Sequence, residues 1–276
     1  RQRQMCIRDR ATTWYSHAID KFALVVKWGL LAPFNYALKQ KQRYMKWLYL
    51  YGSSYTGKTT LARIVLKLWG LDIKFEKTGA NIDTPARLGY ILSQSTFPIL
   101  VNEPGNALTR EDIVEMLKNA IESTIVRGRY ERGSYTEIPS LASIVFTSNR
   151  YLPRDDALLR RLIVLRFTYG ERINQEKARE FESKIAPRLS ELKAIGNYTA
   201  FKIMNTPGLL ESEWETIAAK LLEEAYREAG LEPPKWIYEK YQVEENVYED
   251  LKEAIRNYLI KRINEEYNRY VGRITI

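Results

Sequence analysis

The chain has 276 residues, 45% hydrophobic and 28% charged, which fits one sizeable globular domain with helical attachments and excludes fibrous or low-complexity classes. One cysteine, Cys6, excludes an internal disulfide, and one histidine, His17, leaves no basis for a structural zinc site or for histidine acid–base chemistry. The formal charge of +9 is uneven: residues 1–60 carry 11 Lys/Arg against 2 Asp/Glu, residues 61–170 carry 15 against 12, and residues 171–276 carry 17 against 20, so local placement says more about a nucleic-acid partner than the total does.

In chain order, residues 1–10 (RQRQMCIRDR) resemble a translated sequencing-adapter oligonucleotide. They are set aside as a non-native start, and a larger native protein is expected to have preceded Ala11. Helices are predicted from Trp14 to Leu31 and from Phe34 to Lys46, separated by Pro33. The stretch Phe22 to Phe34 is the most apolar of the chain, but Lys27 and Pro33 interrupt it and it falls short of the ~20 residues that span a bilayer. It reads as a buried or interfacial helix. The next helix carries Lys39, Lys41, Arg43 and Lys46, either a solvated face or a basic surface facing DNA or a neighbouring subunit. His17 reads as a surface or interfacial residue.

Residues 47–167 alternate between strand and helix. Strands are predicted at Trp47–Tyr51, Ile73–Glu76, Phe97–Val101, Leu141–Thr147 and Leu162–Phe167. Helices are predicted at Lys58–Trp69, Thr84–Leu92 and Thr109–Ser123, the last with Thr109 and Asp112 as an acidic N-cap arrangement. Continuously apolar strands alternating with helices imply a five-stranded parallel sheet covered on both faces. Residues 127–138 read as a hairpin turning at Gly133 and Ser134. From Gly170 onward the pattern is helical: Asn174–Ala186, Pro187–Ile195, Ser212–Ala229 and Glu245–Val271.

The motif Gly52-Ser53-Ser54-Tyr55-Thr56-Gly57-Lys58-Thr59 matches the phosphate-binding loop in full, and it lies between an apolar strand and an amphipathic helix, as that loop requires. Its glycines allow the tight turn, and its backbone N–H groups, with Thr60 following, would cradle phosphate oxygens at a helix N-terminus. Lys58 would reach the β and γ phosphates of ATP and Thr59 would hold Mg²⁺. The third predicted strand ends in Asn102-Glu103. Glu103 is the candidate general base, and the neutral Asn102 stands where a carboxylate usually acts on Mg²⁺ through water. The fourth strand ends in Thr147-Ser148-Asn149, whose amide can orient the attacking water. Arg160 and Arg161 precede the fifth strand, as arginines completing a neighbour's nucleotide site or as a surface pair with Asp155 or Asp156.

In this order the motifs resemble the AAA+ superfamily, and within it the superfamily 3 helicases of viruses and plasmids. The phrases Leu117–Glu122 and Ala157–Val164 are similar to replication proteins of archaeal plasmids and viruses. The resemblance covers residues 47–170 as an α/β AAA+ P-loop NTPase core. It implies a helical collar at 11–46 and a mostly helical region at 171–276, a helical or winged-helix module. It further implies ATP and Mg²⁺ as cofactors, a homo-oligomeric ring, single-stranded or forked DNA as partner, no membrane, and a cytoplasmic location in an archaeal or virus-infected cell. In that family the hairpin before the third motif grips DNA; here it offers Arg129, Tyr130, Arg132 and Tyr135, residue types suited to phosphate contact and base stacking. The alternative is a non-helicase AAA+ initiator, loader or nucleotide-controlled switch.

Overall fold

The computed structural model describes residues 14–131, 134–149, 152–241, 255, 258–259 and 262–267. The adapter-like start, Arg132 and Gly133 of the expected hairpin, and most of the predicted helix Glu245–Val271 lie outside the described residues. The chain divides into two compact units, Arg1–Tyr241 and Gln242–Ile276. In the second, residues 262–267 are helical.

In the first unit, helix α1 (Ile19–Leu31) is buried nearly all round, as its apolar sequence demands: every residue from Phe22 to Leu31 is buried. Lys27 is tolerated inside because its ammonium meets the Glu215 carboxylate at 2.5 Å and the Glu239 carbonyl at 2.7 Å. Pro33 opens a 3-10 turn, Ala32–Phe34, and α2 (Asn35–Gln40) follows. α2 ends six residues earlier than the sequence suggests, and Gln42 takes a left-handed φ of 59° just beyond it. The expected basic face is thereby dispersed. Lys39 is buried, and Arg43 hydrogen-bonds the Leu210 and Glu211 carbonyls and pairs with Glu213.

The core sheet contains β1 (Trp47–Gly52), β2 (Glu76–Thr78), β3 (Ile99–Asn102), β6 (Ile144–Ser148) and β7 (Leu162–Phe167), all parallel, in the order β2-β3-β6-β1-β7. A separate hairpin pairs β4 (Ile125–Glu131) with β5 (Ser134–Pro139), Tyr130 opposite Tyr135. Strands β1 and β6 are apolar and buried on both faces, which a parallel sheet between helices requires. The crossover helices are α3 (Lys58–Lys67), α4 (Pro85–Ser93) and α5 (Glu111–Glu122); a short α6 (Asp156–Leu159) precedes β7.

The second strand forms later than expected. Asp72 accepts a hydrogen bond from the Lys74 amide at 2.9 Å, closing a 3-10 turn over Ile73–Phe75 and leaving Ile73 exposed. α5 starts at Glu111 without a side-chain cap: Thr109 donates instead to the Asn106 carbonyl, and Asp112 pairs with Arg110 at 2.7 Å. After β7 the described residues are mainly helical, through α7 (Gln175–Glu180), a π-helical turn, a 3-10 segment, α8 (Lys193–Asn205) and α9 (Trp214–Glu228). α8 runs ten residues past the expected stop at Ile195, and Gly196 in its first turn lets it lie directly on the chain at Leu68, where a Cβ would come within 2.1 Å of the Leu68 carbonyl oxygen.

Candidate functional site

Parallel strands present their carboxyl ends on one edge of the sheet, and ligands of such sheets bind there. Register aligns Tyr51 with Ser148 and Asn102 with Thr147, so the ends of β1, β6 and β3 stand side by side. Three motifs far apart in sequence therefore meet at one edge.

The chain leaves β1 at Gly52, which pairs with Phe167 and has φ 126°. A Cβ there would fall 2.0 Å from the Phe167 carbonyl oxygen, the atom that accepts the Ser53 amide at 2.9 Å, so only glycine fits. Tyr55 and Gly57 continue the loop with φ of 64° and 82°. Thr56 is buried and its hydroxyl donates to the Ser53 carbonyl at 3.0 Å. Ser53, Ser54, Thr59 and Thr60 are half-buried, and the Tyr55 ring is exposed. Gly57 is the cap of α3, whose first amides have no partner within the helix.

Lys58 is buried under this loop. Its ammonium donates to the Gly52 carbonyl at 3.0 Å, the Ser53 carbonyl at 2.5 Å and Asn149 Oδ1 at 3.0 Å. Burial lowers its pKa to about 8, against an opposing pull from the Glu103 charge. Glu103 follows β3 with a left-handed φ of 48°. Its Oε1 accepts the Asn149 main-chain amide at 2.9 Å and Nδ2 at 2.7 Å, and its Oε2 accepts the Ser148 hydroxyl at 3.2 Å. A continuous chain thus runs from Lys58 through Asn149 to Glu103. Asn102 Oδ1 accepts the Thr147 hydroxyl at 2.6 Å, tying β3 to β6.

This geometry decides the architecture. The fold is an α/β P-loop NTPase core. No family model matches the chain, and no curated protein matches it. Among solved structures, it is similar to the SCCmec type IV Cch active helicase at 18% identity and TM-score 0.49, covering 78% of this chain and 41% of that one. It is also similar to the JCV helicase (14% identity, TM-score 0.37, 82% of this chain, 68% of that one) and to the apo C-terminal region of NrS-1 (18%, 0.37, 75% and 52%). The chain therefore spans less than half the length of the first of these structures.

The two arginines of the P-loop core part company. Arg161 donates to Glu122 Oε2 at 2.7 Å and to the Ala157 carbonyl at 2.8 Å, while the Tyr44 hydroxyl holds Glu122 Oε1 at 2.9 Å. Arg160 is exposed, and no hydrogen bond joins its side chain to the described residues. Neither pairs with Asp155, which caps α6 through the Leu158 amide at 2.6 Å and meets Lys118 at 3.4 Å.

For magnesium, no cluster of three or more His, Cys, Asp or Glu occurs among the described residues. The donors near the loop are the Thr59 hydroxyl, the Asn102 amide oxygen and the Glu103 carboxylate. That sparse set fits Mg²⁺, which keeps waters and takes much of its shell from phosphate oxygens. Asn102 Oδ1 retains a second lone pair beside the one used by Thr147.

The hairpin brings Tyr135 over Gly128 on the opposite strand, so close that a Cβ on Gly128 would lie 2.1 Å from the Tyr135 hydroxyl. Sequence reasoning missed two residues that touch the loop. The Tyr15 hydroxyl donates to the Gly57 carbonyl at 3.0 Å, and the Ile173 amide donates to the Tyr55 carbonyl at 2.8 Å. No local spacing signals either contact, because they join the phosphate loop to segments 42 and 118 residues away along the chain.

Proposed function

We propose that this chain is an ATP-driven, ring-forming DNA helicase or translocase of mobile-element replication. The observation that carries the reading is the hydrogen-bonded chain Lys58–Asn149–Glu103 at the mouth of a complete phosphate loop. Gly52 to Thr60 would bind the triphosphate, with Lys58 neutralising its terminal oxygens. Glu103 would take a proton from water as that water attacks the γ-phosphorus and the bond to the β-phosphate oxygen breaks, ADP leaving with the electron pair. Asn149 would hold the carboxylate in line. Thr59, with Asn102 and Glu103 through water, would hold magnesium, which would supply positive charge against the phosphate oxygens. Arg160 of a neighbouring copy is the residue proposed to neutralise charge on the transferred group, and Arg161 to set the backbone that presents it. The hairpin residues Arg129, Tyr130, Arg132 and Tyr135 are proposed to grip one DNA strand.

Glu103→Gln tests the assignment. The variant should bind ATP with wild-type affinity, assemble, and lose hydrolysis by at least about a hundredfold, the scale of a general-base contribution. Unchanged turnover would remove Glu103 from its role. A second reading, a nucleotide-controlled switch without processive unwinding, draws on the neutral Asn102 and its bond to Thr147. Unwinding of a forked duplex by the wild-type protein decides against it.

A further inference from the structure

The phosphate loop is held from outside by two points. Tyr15 lies before the first helix, fully buried and stacked on Phe22 at 5.4 Å, and its hydroxyl reaches the Gly57 carbonyl. Ile173 lies beyond β7, and its amide reaches the Tyr55 carbonyl. Both side chains also close on Gly57: a Cβ there would stand 2.9 Å from Ile173 Cδ1 and 3.1 Å from the Tyr15 hydroxyl.

A trans peptide is planar, and its C=O and N–H point in opposite directions. A donor fixed on the Gly57 carbonyl therefore aims the Lys58 amide the other way. A donor fixed on the Tyr55 carbonyl does the same for the Thr56 amide. The Ser53 amide is already committed to Phe167, so the remaining loop amides carry the recognition of an anion.

We infer that Tyr15 and Ile173 are positioning residues of the phosphate loop, tying down two of its carbonyls so that the amides of Thr56 and Lys58 face the phosphates. The inference rests on the nucleotide-binding reading and adds to it a polyphosphate-selective brace supplied by segments on either side of the core. The Gly57 carbonyl also accepts the Leu61 amide at 2.8 Å, so loss of the hydroxyl leaves the ring packed and the Gly57 peptide held by that helix bond alone. The effect falls on whatever the amides bind, not on the nucleoside end of the ligand.

Calorimetry of full-length Tyr15→Phe with ATP and with tripolyphosphate tests this, with thermal melting alongside. Affinity for both ligands should fall by roughly three- to tenfold, the worth of one hydrogen bond. Unchanged affinity for tripolyphosphate overturns the inference, whether or not the melting temperature drops or ATP binding weakens. If Tyr15→Phe does not fold, Ile173→Pro, which deletes the donor to Tyr55, carries the same expectation. Wild-type protein that binds neither ligand would instead sink the nucleotide-binding reading, a result separable from the variants' behaviour.

Discussion

Asn149 holds Glu103 twice, its main-chain amide and its side-chain Nδ2 both donating to Oε1, at 2.9 and 2.7 Å. The same side chain accepts the Lys58 ammonium through Oδ1 at 3.0 Å. An amide is the side chain that can do both, because it carries a donor and an acceptor on one planar group.

Replacing Asn149 by Asp keeps the acceptor for Lys58 and turns the donor into a second carboxylate facing Glu103. Two carboxylates at that distance do not both ionise at neutral pH, and one takes a proton. Steady-state ATPase should fall by roughly a hundredfold or more, the usual scale for a misplaced base. Wild-type turnover in this variant would show that the chain from Lys58 to Glu103 plays no part in hydrolysis.

Arg160 and Arg161 are adjacent but should fail differently. Arg161→Ala leaves Glu122 with the Tyr44 hydroxyl as its remaining partner, removes the bond to the Ala157 carbonyl, and should cost about 1–2 kcal/mol in denaturant unfolding, since the pair is only partly exposed. Arg160→Ala should leave stability unchanged and lower ATPase by about a thousandfold, as expected of an arginine supplied to a neighbour. Mixing it with Glu103→Gln protein should restore activity if the two residues act across a boundary between copies.

Nucleotide affinity should depend on pH through Lys58. Burial holds its pKa near 8 in the free protein, so the ammonium is present below that pH and lost above it. Isothermal titration from pH 7 to pH 9 should show constant affinity at first, then a decline of up to about tenfold per unit as the free lysine must regain a proton to bind. A flat profile would detach Lys58 from phosphate recognition.

Lys39 gives a stability signature of opposite use. Its buried ammonium meets the Ala120 carbonyl at 2.5 Å and both Ser140 oxygens, with no carboxylate beside it among its hydrogen-bond partners. Burial lowers its pKa from 10.5 to about 7. Between those values the unfolded chain holds the proton and the folded chain does not, so stability rises with pH, by up to about 1.4 kcal/mol per unit from this residue. Urea unfolding at pH 7, 8 and 9 should show that slope in the wild type and its loss in Lys39→Met. Equal slopes would mean that Lys39 keeps its proton.

The strands β1, β6 and β7, the hairpin and the phosphate loop were all legible, because each rests on a local pattern: an apolar run, a turn pair, glycines at a fixed spacing. Helix ends were less so. The stops at Gln40 and Asn205 carry no local signal, and neither does the contact of Gly196, in the first turn of α8, with Leu68.

By itself the sequence determined that Gly52, Gly57, Lys58 and Thr59 would form one loop, and that Glu103 and Asn149 would end two strands near it. Only the tertiary structure decided that Asn149 bonds both Lys58 and Glu103, that Lys39 is buried while Arg160 is exposed, that Arg161 turns to Glu122, and that Tyr15 and Ile173 secure the loop. The physical reason is that backbone patterns are set by neighbours along the chain. The partner of a charge or hydroxyl is set by which distant surfaces the packed sheet and helices bring within 3 Å, a distance at which a hydrogen bond forms.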